Sequence, residues 1–290
     1  MKYILITGTN SYIGTKVENY LKQWPDLYSV TVLDMLDPSW ASFDFSCFDC
    51  VYHVAGIAHA DDGKGGAEEQ AKYKSVNTDL VIKTAEKAKN SGVKQFIFMS
   101  SSIVYGDSAP VGKSKLITAK TVPHPAGYYG QSKLDAEAGI KALASDSFKV
   151  CILRPPMIYG SGCKGNYPKL SKIAQRFPFF PKIDNKRSML YVGNLAEFVR
   201  LMIENEESGV FWPQNREYSN TSELVGLIAR AHNRTIPIIP GLTWAVRLAG
   251  NVTDIANKAF GSLAYDMDLS NYKEEYRLYS LEQSIMETEK

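Results

Sequence analysis

The sequence predicts an α/β protein built on a doubly wound parallel sheet, because short apolar runs alternate with longer amphipathic stretches along its first half. The apolar runs are rich in β-branched residues and have hydrophobic side chains at nearly every position. Such runs are typical of strands that are buried on both faces of a parallel sheet. The amphipathic stretches provide the crossover helices that neighbouring parallel strands require.

The elements follow one another in a regular order. Strands are predicted at 3–6, 30–33, 51–54, 96–99 and 150–153, and helices at 13–22, 68–90 and 131–144. The interval 35–52 is short for a crossover that contains a helix, so one helix is expected to be missing there. Beyond Pro156 the alternation ends in a Gly-rich segment at 160–165, and a smaller, mostly helical C-terminal domain is predicted to follow. Within it, Asn220 with Glu223 three residues later has the form of a helix N-cap.

Composition and charge exclude several classes of protein. The 33 basic and 31 acidic residues leave a net charge of +2, which is too balanced for a nucleic-acid binder. Hydrophobic residues make up 44% and charged residues 22% of the chain, as in ordinary globular proteins. No apolar run is long enough for a membrane span, the first one breaks too early for a signal peptide, and four cysteines are too few for a disulfide scaffold. A soluble, cytoplasmic protein without a membrane partner is expected.

A glycine-containing turn joins the first predicted strand to the first helix. It reads Thr7-Gly8-Thr9-Asn10-Ser11-Tyr12-Ile13-Gly14, with Ser11 in place of the middle glycine of a G-x-x-G-x-x-G pattern. In such a turn, backbone N–H groups and the helix dipole can face the pyrophosphate of a dinucleotide. The cofactor-binding residues predicted here are Gly8, Asn10, Ser11, Tyr12, Ile13 and Gly14. On its own, the turn fits a plain strand–helix connection equally well.

An acidic residue ends the second predicted strand at the distance that a dinucleotide site requires. Asp34 lies about twenty residues after Gly14, where a carboxylate can accept hydrogen bonds from the adenosine ribose of NAD. The same carboxylate would repel the additional phosphate of NADP, and no arginine lies nearby. NAD is therefore the predicted cofactor, and the alternative is an acid that only terminates the strand. Asp44 and Phe45 are predicted to flank the adenine if a short strand ends there.

Tyr129 and Lys133 lie four residues apart at the start of a predicted helix, and therefore on one helix face. Tyr129 is predicted to be a general base, because Lys133 and an oxidised nicotinamide would both lower the phenol pKa from about 10. Lowering it by about 3 units corresponds to roughly 4 kcal/mol, which two nearby cations can supply in a dry site. The serine run at 100–102 follows a predicted strand, where a hydroxyl can hydrogen-bond the substrate oxygen that gains or loses the proton.

These motifs occur in the order found in extended short-chain dehydrogenase/reductases, and the chain resembles their NAD-dependent epimerase/dehydratase family. The resemblance rests on Thr7-Gly8…Gly14, Asp34, Val54-Ala55-Gly56, Val76-Asn77, Ser101…Val104-Tyr105-Gly106, Tyr129…Lys133 and Leu153-Arg154-Pro155. It continues in Lys164-Gly165-Asn166, in Arg187-Ser188 and in Gly261-Ser262-Leu263…Asp266, and so covers essentially the whole chain. The chain looks most like the branch of the UDP-glucose 4-epimerases and nucleotide-sugar 4-ketoreductases. The resemblance implies a Rossmann fold, NAD as cofactor and a nucleotide sugar as substrate.

The resemblance also assigns roles to individual residues. Tyr129 is implied to be the general base and acid, Lys133 to hold the nicotinamide ribose and lower the tyrosine pKa, and Ser101 to be the catalytic serine. Further cofactor contacts are implied at Val54, Ala55, Gly56, Asn77 and Pro155. Substrate contacts are implied at Ser101, Ser102, Asn166 and Arg187, the last two on the substrate diphosphate. No metal is expected, and a homodimer through the helices 68–90 and 131–144 is implied.

Two domains with separate tasks are expected from the same resemblance. Residues 1–156, with about 189–210 returning to them, are expected to form the NAD-binding Rossmann domain. Residues 157–188 and 211–290 are expected to form the substrate-binding cap. Met157 stands where the epimerases often carry an asparagine that contacts the nucleotide.

Three hypotheses for the function remain open. The first is an NAD-dependent 4-epimerase of a UDP-hexose or UDP-N-acetylhexosamine, acting through a transient 4-keto intermediate. The second is an NAD(P)H-dependent 4-ketoreductase of a UDP-4-keto-6-deoxy-hexosamine in surface polysaccharide synthesis. The third is a dinucleotide sensor without catalysis, which predicts a broken triad, whereas Ser101, Tyr129 and Lys133 are all present. Dehydration is not expected, because Ser102 and Ile103 stand where the dehydratases carry an acidic pair.

Other features have structural interpretations. Cys47 and Cys50 form a single CxxC pair, without the second pair of a zinc site. His53 is expected to be a hydrogen-bonded core residue. The aromatic–proline run 177–181 and the amphipathic segment 242–260 are expected to pack within the cap.

Overall fold

The chain folds into two compact units in the computed structural model, which describes residues 1–58, 66–242, 244 and 260–290. Unit 1 consists of Met1–Gly106, Pro123–Pro155 and Leu195–Pro213, and unit 2 of Asp107–Val122, Pro156–Asn194 and Gln214–Lys290. The segment 107–122 therefore belongs to unit 2, although the sequence boundaries place it in the first domain. The reason is a long-range strand pairing that no local sequence pattern predicts. Residues 116–117 pair in parallel with residues 264–265.

Six parallel strands form the sheet of unit 1. With strands numbered along the whole chain, they are β1 (Lys2–Thr7), β2 (Tyr28–Leu33), β3 (Cys50–His53), β4 (Gln95–Met99), β6 (Lys149–Leu153) and β10 (Gly209–Phe211). Their order is β10-β6-β4-β3-β1-β2, and every neighbouring pair is parallel. The consecutive side chains of Ile4, Leu5 and Ile6 are all fully buried, so both faces of the sheet are covered. The predicted doubly wound α/β fold is confirmed.

Helices connect these strands, with one exception. They are α1 (Tyr12–Leu21), α2 (Gly66–Tyr73), α3 (Leu80–Asn90), α4 (Tyr128–Lys141) and most of α6 (Val192–Glu204). A π-helical turn, Lys74–Asp79, separates α2 from α3 and interrupts the helix predicted at 68–90. Between β2 and β3 the chain forms only a short 3-10 turn, Pro38–Ala41, so the predicted absence of a crossover helix there is confirmed.

One hydrophobic cluster of unit 1 lies between the sheet and the inner faces of α3 and α4. Its strand residues include Val51, Phe96 and Ile152, which share one cluster with Ala85 and Ile140 of the helices. Phe45 and Phe48, from the connection between β2 and β3, enter the same cluster. Two aromatic side chains therefore cover the sheet where the crossover helix is missing.

Short parallel strand pairs and helices make up unit 2. β5 (Leu116–Ile117) pairs with β12 (Ala264–Tyr265), β7 (Met157–Tyr159) with β9 (Met189–Tyr191), and β8 (Phe180–Pro181) with β11 (Ile238–Ile239). Its described helices are α5 (Tyr167–Arg176), α7 (Thr221–Ala231) and α8 (Leu281–Thr288). The predicted N-cap is confirmed, because the Asn220 side chain accepts hydrogen bonds from the N–H groups of Ser222 and Glu223. Within the described ranges, no helix has the length and apolar character needed to span a membrane.

Candidate active site

The turn between β1 and α1 has the shape that its glycines predict. Gly8 has a φ of +111°, and a Cβ on it would lie 3.0 Å from the backbone nitrogen of Ala55. Asn10 has a φ of +61°, in the left-handed region that asparagine tolerates better than most residues. Ser11 is the N-cap of α1, because its Oγ accepts a hydrogen bond from the Gly14 N–H at 3.1 Å. The serine in the place of the middle glycine therefore supports the helix N-terminus that faces this turn.

The residues after β3 lie directly against the start of α1. A Cβ on Gly14 would lie 3.0 Å from Cγ2 of Val54, which follows β3. Tyr12 and Ile13 form the first turn of α1 and are half-buried. Both glycines of the turn are thus required by a close approach to the same loop.

Asp34 directly follows β2 and is exposed next to this turn. The carbonyl oxygen of Leu33 accepts a hydrogen bond from the Gly8 N–H at 2.9 Å, which joins the two strand ends. Oδ1 of Asp34 accepts a hydrogen bond from the Leu36 N–H at 2.9 Å, which orients the carboxylate. An oriented, solvent-accessible acid beside a helix N-terminus is what a ribose contact requires.

The adenine contact predicted at Asp44 and Phe45 does not have the structure on which it depends. Residues 34–49 contain no strand, so none ends at these positions. Phe45 is fully buried in the core, with its ring 6.2 Å from that of Phe43, and cannot flank a ligand with its side chain. Asp44 is exposed and accepts a hydrogen bond from the Ser46 N–H at 2.9 Å. The side chain of Phe45 therefore belongs to the core of unit 1, and an adenine contact at the exposed Asp44 stays a prediction.

Asn77, in the π-helical turn, holds the loop after β3 against α4. It is fully buried; its Oδ1 accepts a hydrogen bond from the Ile57 N–H, and its Nδ2 donates one to the Ile57 carbonyl oxygen, both at 2.9 Å. Nδ2 also lies 3.3 Å from Oγ of Ser132, and that hydroxyl donates to the carbonyl oxygen of Tyr129 at 2.9 Å. One amide therefore links a predicted cofactor loop to the helix that carries the predicted base.

Ser101 and Tyr129 come together where β4 ends and α4 begins. Burial raises the pKa of Tyr129 to about 12, and a side-chain hydrogen bond with Ser101 offsets only part of this increase. The ring of Tyr73 lies 5.9 Å from the ring of Tyr129, and its charge interaction raises the pKa further. The phenol is thus protonated at neutral pH in the protein alone, and additional positive charge nearby is needed before it can act as a base.

Lys133 is buried one helical turn after Tyr129. Its Nζ donates a hydrogen bond to the carbonyl oxygen of Met99 at 2.9 Å and lies 4.7 Å from the ring centre of Phe98. Burial lowers the pKa of Lys133 to about 8, against the opposing effect of the Glu137 carboxylate. A Cβ on Gly56 would lie 3.5 Å from Nζ, so the glycine leaves space in front of the ammonium group.

The end of β6 is tied to the end of β4 beside the serine run. The Ser102 N–H donates a hydrogen bond to the carbonyl oxygen of Pro155 at 2.9 Å. Ser101 is the N-cap of the 3-10 turn Ser102–Tyr105, and its Oγ accepts from the Ile103 N–H at 3.3 Å.

Glu137 is a buried charge near this site that sequence reasoning missed. Its carboxylate accepts a hydrogen bond from Oγ of Ser100 at 2.6 Å and forms a two-pronged ion pair with Arg154. The sequence carries a signal for it, because Glu137 lies four residues after Lys133, as Lys133 lies four residues after Tyr129. Three functional groups on consecutive turns of one helix face indicate a common task.

The predicted substrate contacts Asn166 and Arg187 lie in unit 2. Asn166 is exposed at the N-cap position of α5, and its side chain makes no capping hydrogen bond. Arg187 lies just before β9, its backbone pairs with Ser219 and Leu263, and burial lowers its pKa to about 10. Its guanidinium therefore stays charged at neutral pH. That these two residues bind a diphosphate remains a prediction.

The residues at the ends of β1, β2 and β3 fit an NAD molecule. A Cβ would fill the cradle at Gly8 and Gly14, the N-terminus of α1 supplies a positive dipole, and Asp34 supplies a hydrogen-bond acceptor. Of the remaining predicted contacts, Val54, Ala55 and Gly56 border this cradle, and Asn77 supports it. Among the described residues, there is no group of three or more His, Cys, Asp or Glu side chains that could hold a metal ion.

Further interpretations from the sequence have mixed outcomes. His53 is fully buried with Nδ1 2.9 Å from Oγ1 of Thr7, as expected of a hydrogen-bonded core residue, and its Nε2 has no hydrogen-bond partner among the described residues. Within the aromatic–proline run, Phe180 is buried as expected, whereas Phe177 and Phe179 are exposed. Most of the segment 242–260 lies outside the described residues.

Two of the curated proteins with similar sequences are named as sugar 4-epimerases. The UDP-glucose 4-epimerase of Vibrio cholerae is 32% identical over 299 residues, covering 94% of this chain and 89% of its own length. The N-acetyl-alpha-D-glucosaminyl-diphospho-ditrans,octacis-undecaprenol 4-epimerase of Escherichia coli O157:H7 is 28% identical over 278 residues, covering 89% of this chain and 81% of its own.

Solved structures share the fold over almost the whole chain. A dTDP-4-dehydrorhamnose reductase from Clostridium acetobutylicum superposes with a TM-score of 0.75 at 17% identity, covering 99% of this chain and 98% of its own. The UDP-glucuronic acid 4-epimerase from Bacillus cereus, in complex with NAD, superposes with a TM-score of 0.72 at 17% identity, covering 98% of this chain and 96% of its own. At such low identity these likenesses show the Rossmann-type fold alone.

A family model gives the assignment. The model of the "NAD dependent epimerase/dehydratase family" matches residues 4–212, which is well over half of the chain. The matched range contains the β1–α1 turn, Asp34, Ser101, Tyr129 and Lys133. The protein is an enzyme with NAD as its cofactor, and it belongs to the NAD-dependent epimerase/dehydratase family.

Proposed function

We propose that the protein is a nucleotide-sugar 4-epimerase, which inverts C4 of a UDP-hexose or UDP-N-acetylhexosamine through a transient 4-keto sugar. The observation that carries the proposal is the meeting of Ser101, Tyr129 and Lys133 where β4 ends and α4 begins. The similarity to the UDP-glucose 4-epimerase of Vibrio cholerae over 94% of the chain supports the same reaction.

The chemistry of this proposal assigns one proton transfer to each half of the reaction. NAD, when bound, supplies a hydride acceptor and then a hydride donor. Oη of Tyr129 takes the proton of the 4-hydroxyl group as the O–H and C4–H bonds break and the C4=O bond forms, while Ser101 hydrogen-bonds the same oxygen. After the ketone has turned its other face, Tyr129 returns the proton to that oxygen. The sugar ends with no net oxidation, so no external reductant is consumed.

Lys133 has an electrostatic task in this proposal. Its ammonium group, one helical turn from Tyr129, stabilises the phenolate that forms when the tyrosine gives up its proton. The need is large, because the tyrosine pKa is about 12 in the protein alone. The low pKa of Lys133, about 8, means that the group depends on its surroundings to remain charged.

The predicted division of labour and assembly form part of the same proposal. Unit 1 binds NAD, and unit 2 binds the nucleotide diphosphate through Asn166 and Arg187. The homodimer would use α3 and α4, which pack side by side where Gly139 meets Ile82. A cytoplasmic location gives access to both NAD and nucleotide sugars. Light scattering of the purified protein tests the dimer directly.

A panel of sugars tests the proposed activity. The purified protein is incubated with UDP-glucose, UDP-N-acetylglucosamine, a UDP-4-keto-6-deoxy-hexosamine and the undecaprenyl diphosphate of N-acetylglucosamine, each with and without NADH, and the products are separated. We expect the 4-epimer of one UDP-sugar to form without NADH. A product that forms only with stoichiometric consumption of NADH from a 4-keto sugar would instead favour the 4-ketoreductase. Turnover of the lipid-linked sugar alone would overturn the assignment of a UDP-sugar.

Paired tyrosine variants test the assignment of the base. Tyr129→Phe removes the phenolic hydroxyl and is expected to lower kcat by at least about 10³-fold while NAD stays bound. Tyr128→Phe removes the hydroxyl of the neighbouring residue and serves as the matched control, with kcat within about twofold of wild type. Equal activity in the two variants would contradict the proposed mechanism.

A further inference from the structure

A buried ion pair joins four elements around the predicted catalytic residues. We call the residues Ser100, Tyr105, Glu137, Arg154 and Trp212 the Glu137 cluster. The carboxylate of Glu137 accepts from Ser100 Oγ at 2.6 Å and from Nε of Arg154 at 2.9 Å, and its second oxygen accepts from Nη2 of the same arginine. The hydroxyl of Tyr105 accepts from Nη1 of Arg154 and from Nε1 of Trp212, each at 2.7 Å.

Four of the five members of the cluster lie close in sequence to a residue of the site. Ser100 directly precedes Ser101, and Arg154 directly precedes Pro155, whose carbonyl oxygen binds the Ser102 N–H at 2.9 Å. Tyr105 ends the 3-10 turn that begins at Ser102. Glu137 itself lies one turn after Lys133 on α4. The carboxylate therefore ties α4 to the ends of β4 and β6, which carry the other groups of the site.

The cluster is costly if it serves only stability. Glu137 is fully buried and Arg154 is 5% exposed, so both charges have been removed from water. A buried ion pair is often no more stabilising than apolar side chains of the same volume, because desolvation offsets the attraction between the charges. Its retention next to a site indicates a task other than holding the fold together.

The charge of Glu137 also reaches Lys133. Burial lowers the lysine pKa to about 8, and the Glu137 carboxylate acts in the opposite direction. The charge of Lys133 also acts on His53 of β3, and the Glu137 carboxylate is itself paired with Arg154 and, at 3.6 Å, with Lys141. The pKa of His53 is lowered by its own burial and then by the charge of Lys133, which leaves the imidazole neutral. Glu137 is thus the negative charge that keeps the ammonium group protonated.

We propose that Glu137 is a positioning residue of the active site, which acts through Ser100, Arg154 and Lys133 to place Ser101 and the lysine ammonium group around Tyr129. This inference rests on the proposed function for its catalytic readout. A carboxylate that joins α4 to the ends of β4 and β6 determines distances on which the proton transfer depends. Misplacement by about 1 Å can lower a rate by about 10²-fold.

A double substitution separates positioning from stability. Glu137→Leu with Arg154→Met removes both charges and keeps most of the volume, so the protein is expected to fold, as judged by its circular dichroism and melting temperature. We expect kcat to fall by about 10-fold or more, and the alkaline limit of the kcat–pH profile to move to lower pH, because Lys133 loses its proton more easily. Glu197→Leu with Arg200→Met removes another two-pronged ion pair of unit 1 and is the matched control, with both quantities unchanged.

A second readout does not depend on turnover. The 13Cε resonance of Lys133, assigned with Lys133→Met, reports the lysine pKa in the NAD-free protein. We expect it to titrate at lower pH in the Glu137→Leu/Arg154→Met protein than in wild type. If no sugar of the panel is turned over, the proposed function fails, while this titration still decides whether Glu137 acts on Lys133. A folded double variant with wild-type kcat, pH profile and lysine titration would overturn the inference.

A milder variant decides the matter if the double variant does not fold. Ser100→Ala removes only the hydrogen bond between β4 and the carboxylate, and leaves the ion pair with Arg154 in place. We expect kcat to fall by about fivefold or more with KM and bound NAD unchanged, because the serine contacts no ligand in the proposed mechanism. An unchanged kcat, or a rise in KM alone, would overturn the positioning role.

Discussion

The ammonium group of Lys133 donates a hydrogen bond to the carbonyl oxygen of Met99 at 2.9 Å, at the end of the strand that leads into the serine run. The lysine thereby crosses from α4 to β4 through the interior of unit 1. Burying a charged group in this way is unfavourable, and the pKa of about 8 measures how unfavourable it is.

Lys133→Met is expected to abolish turnover and yet to stabilise the NAD-free protein. The folded-state pKa of Lys133 lies below the ordinary 10.5. Removing the charge at pH 7 therefore raises the free energy of unfolding by up to about 3 kcal/mol. Between about pH 8 and 10.5 the unfolded wild type binds more protons than the folded form, so wild-type stability rises and the advantage of the variant shrinks. Urea unfolding at pH 7 and pH 9.5 measures this. Lys83→Met on the surface of α3 is the control, and a destabilised Lys133→Met protein at pH 7 would contradict the prediction.

Gly8→Ala is expected to destabilise the protein by about 2–3 kcal/mol and to weaken NAD binding. The new Cβ would adopt a φ of +111° and meet the backbone of Ala55 at 3.0 Å. Gly92→Ala is the matched control, because Gly92 also has a positive φ, +81°, but a Cβ on it meets nothing within 4 Å. The control is expected to cost about 1 kcal/mol, from backbone strain alone. Denaturant unfolding and NAD titration check both, and equal losses would show that the close approach to Ala55 is unimportant.

Asp34→Ala is expected to weaken NAD binding by about 10-fold or more while improving the affinity for NADP relative to NAD. The variant loses an acceptor for the ribose hydroxyls and a charge that repels the additional phosphate. Asp37→Ala, three residues further on at another exposed acid, should leave both affinities unchanged. Calorimetric titration with each dinucleotide gives the ratio. A wild-type protein that already binds NADP more tightly than NAD would refute this interpretation of Asp34.

Asn77→Ala is expected to cost about 2–4 kcal/mol of stability, because it leaves the N–H and carbonyl groups of Ile57 without their partners. Asn77→Asp keeps the acceptor for the Ile57 N–H but places a carboxylate oxygen against the Ile57 carbonyl oxygen at a fully buried position, so its cost should be at least as large. Hydrogen exchange at the amide of Ile57 reports the loss of protection in the alanine variant. Asn90→Ala, at the exposed end of α3, is the control. Unchanged exchange at Ile57 would show that the amide does not hold the loop.

Local patterns predicted five of the six strands of the sheet and missed β10. They also predicted that Tyr129 and Lys133 share one helix face, because strands, turns and this spacing depend on neighbours in sequence, and the catalytic roles of these residues stay predictions. They were insufficient where tertiary contacts decide. Phe45 is drawn into the core because the sheet lacks a crossover helix above it, and Glu137 is defined by partners on β4 and β6. The segment 107–122 joins unit 2 through a pairing with residues far along the chain. No sequence periodicity and no sequence motif indicates any of these three relationships.

Because of the π-helical turn Lys74–Asp79, the number of residues in this segment determines how its side chains are aligned. A π-helical turn corresponds to one residue inserted into an α-helix, and each residue of an α-helix rotates its neighbours by about 100°. Deleting Ser75 would allow residues 66–90 to form one regular α-helix. The side chains before the deletion would then rotate about the helix axis, away from the direction in which they now point. The inserted residue lets Asn77 reach Ile57 while Thr78 bonds the carbonyl oxygen of Ser132 at 2.8 Å. A shorter chain with every functional side chain retained would therefore lose this alignment, so a deletion at this turn would be more damaging than most substitutions in it.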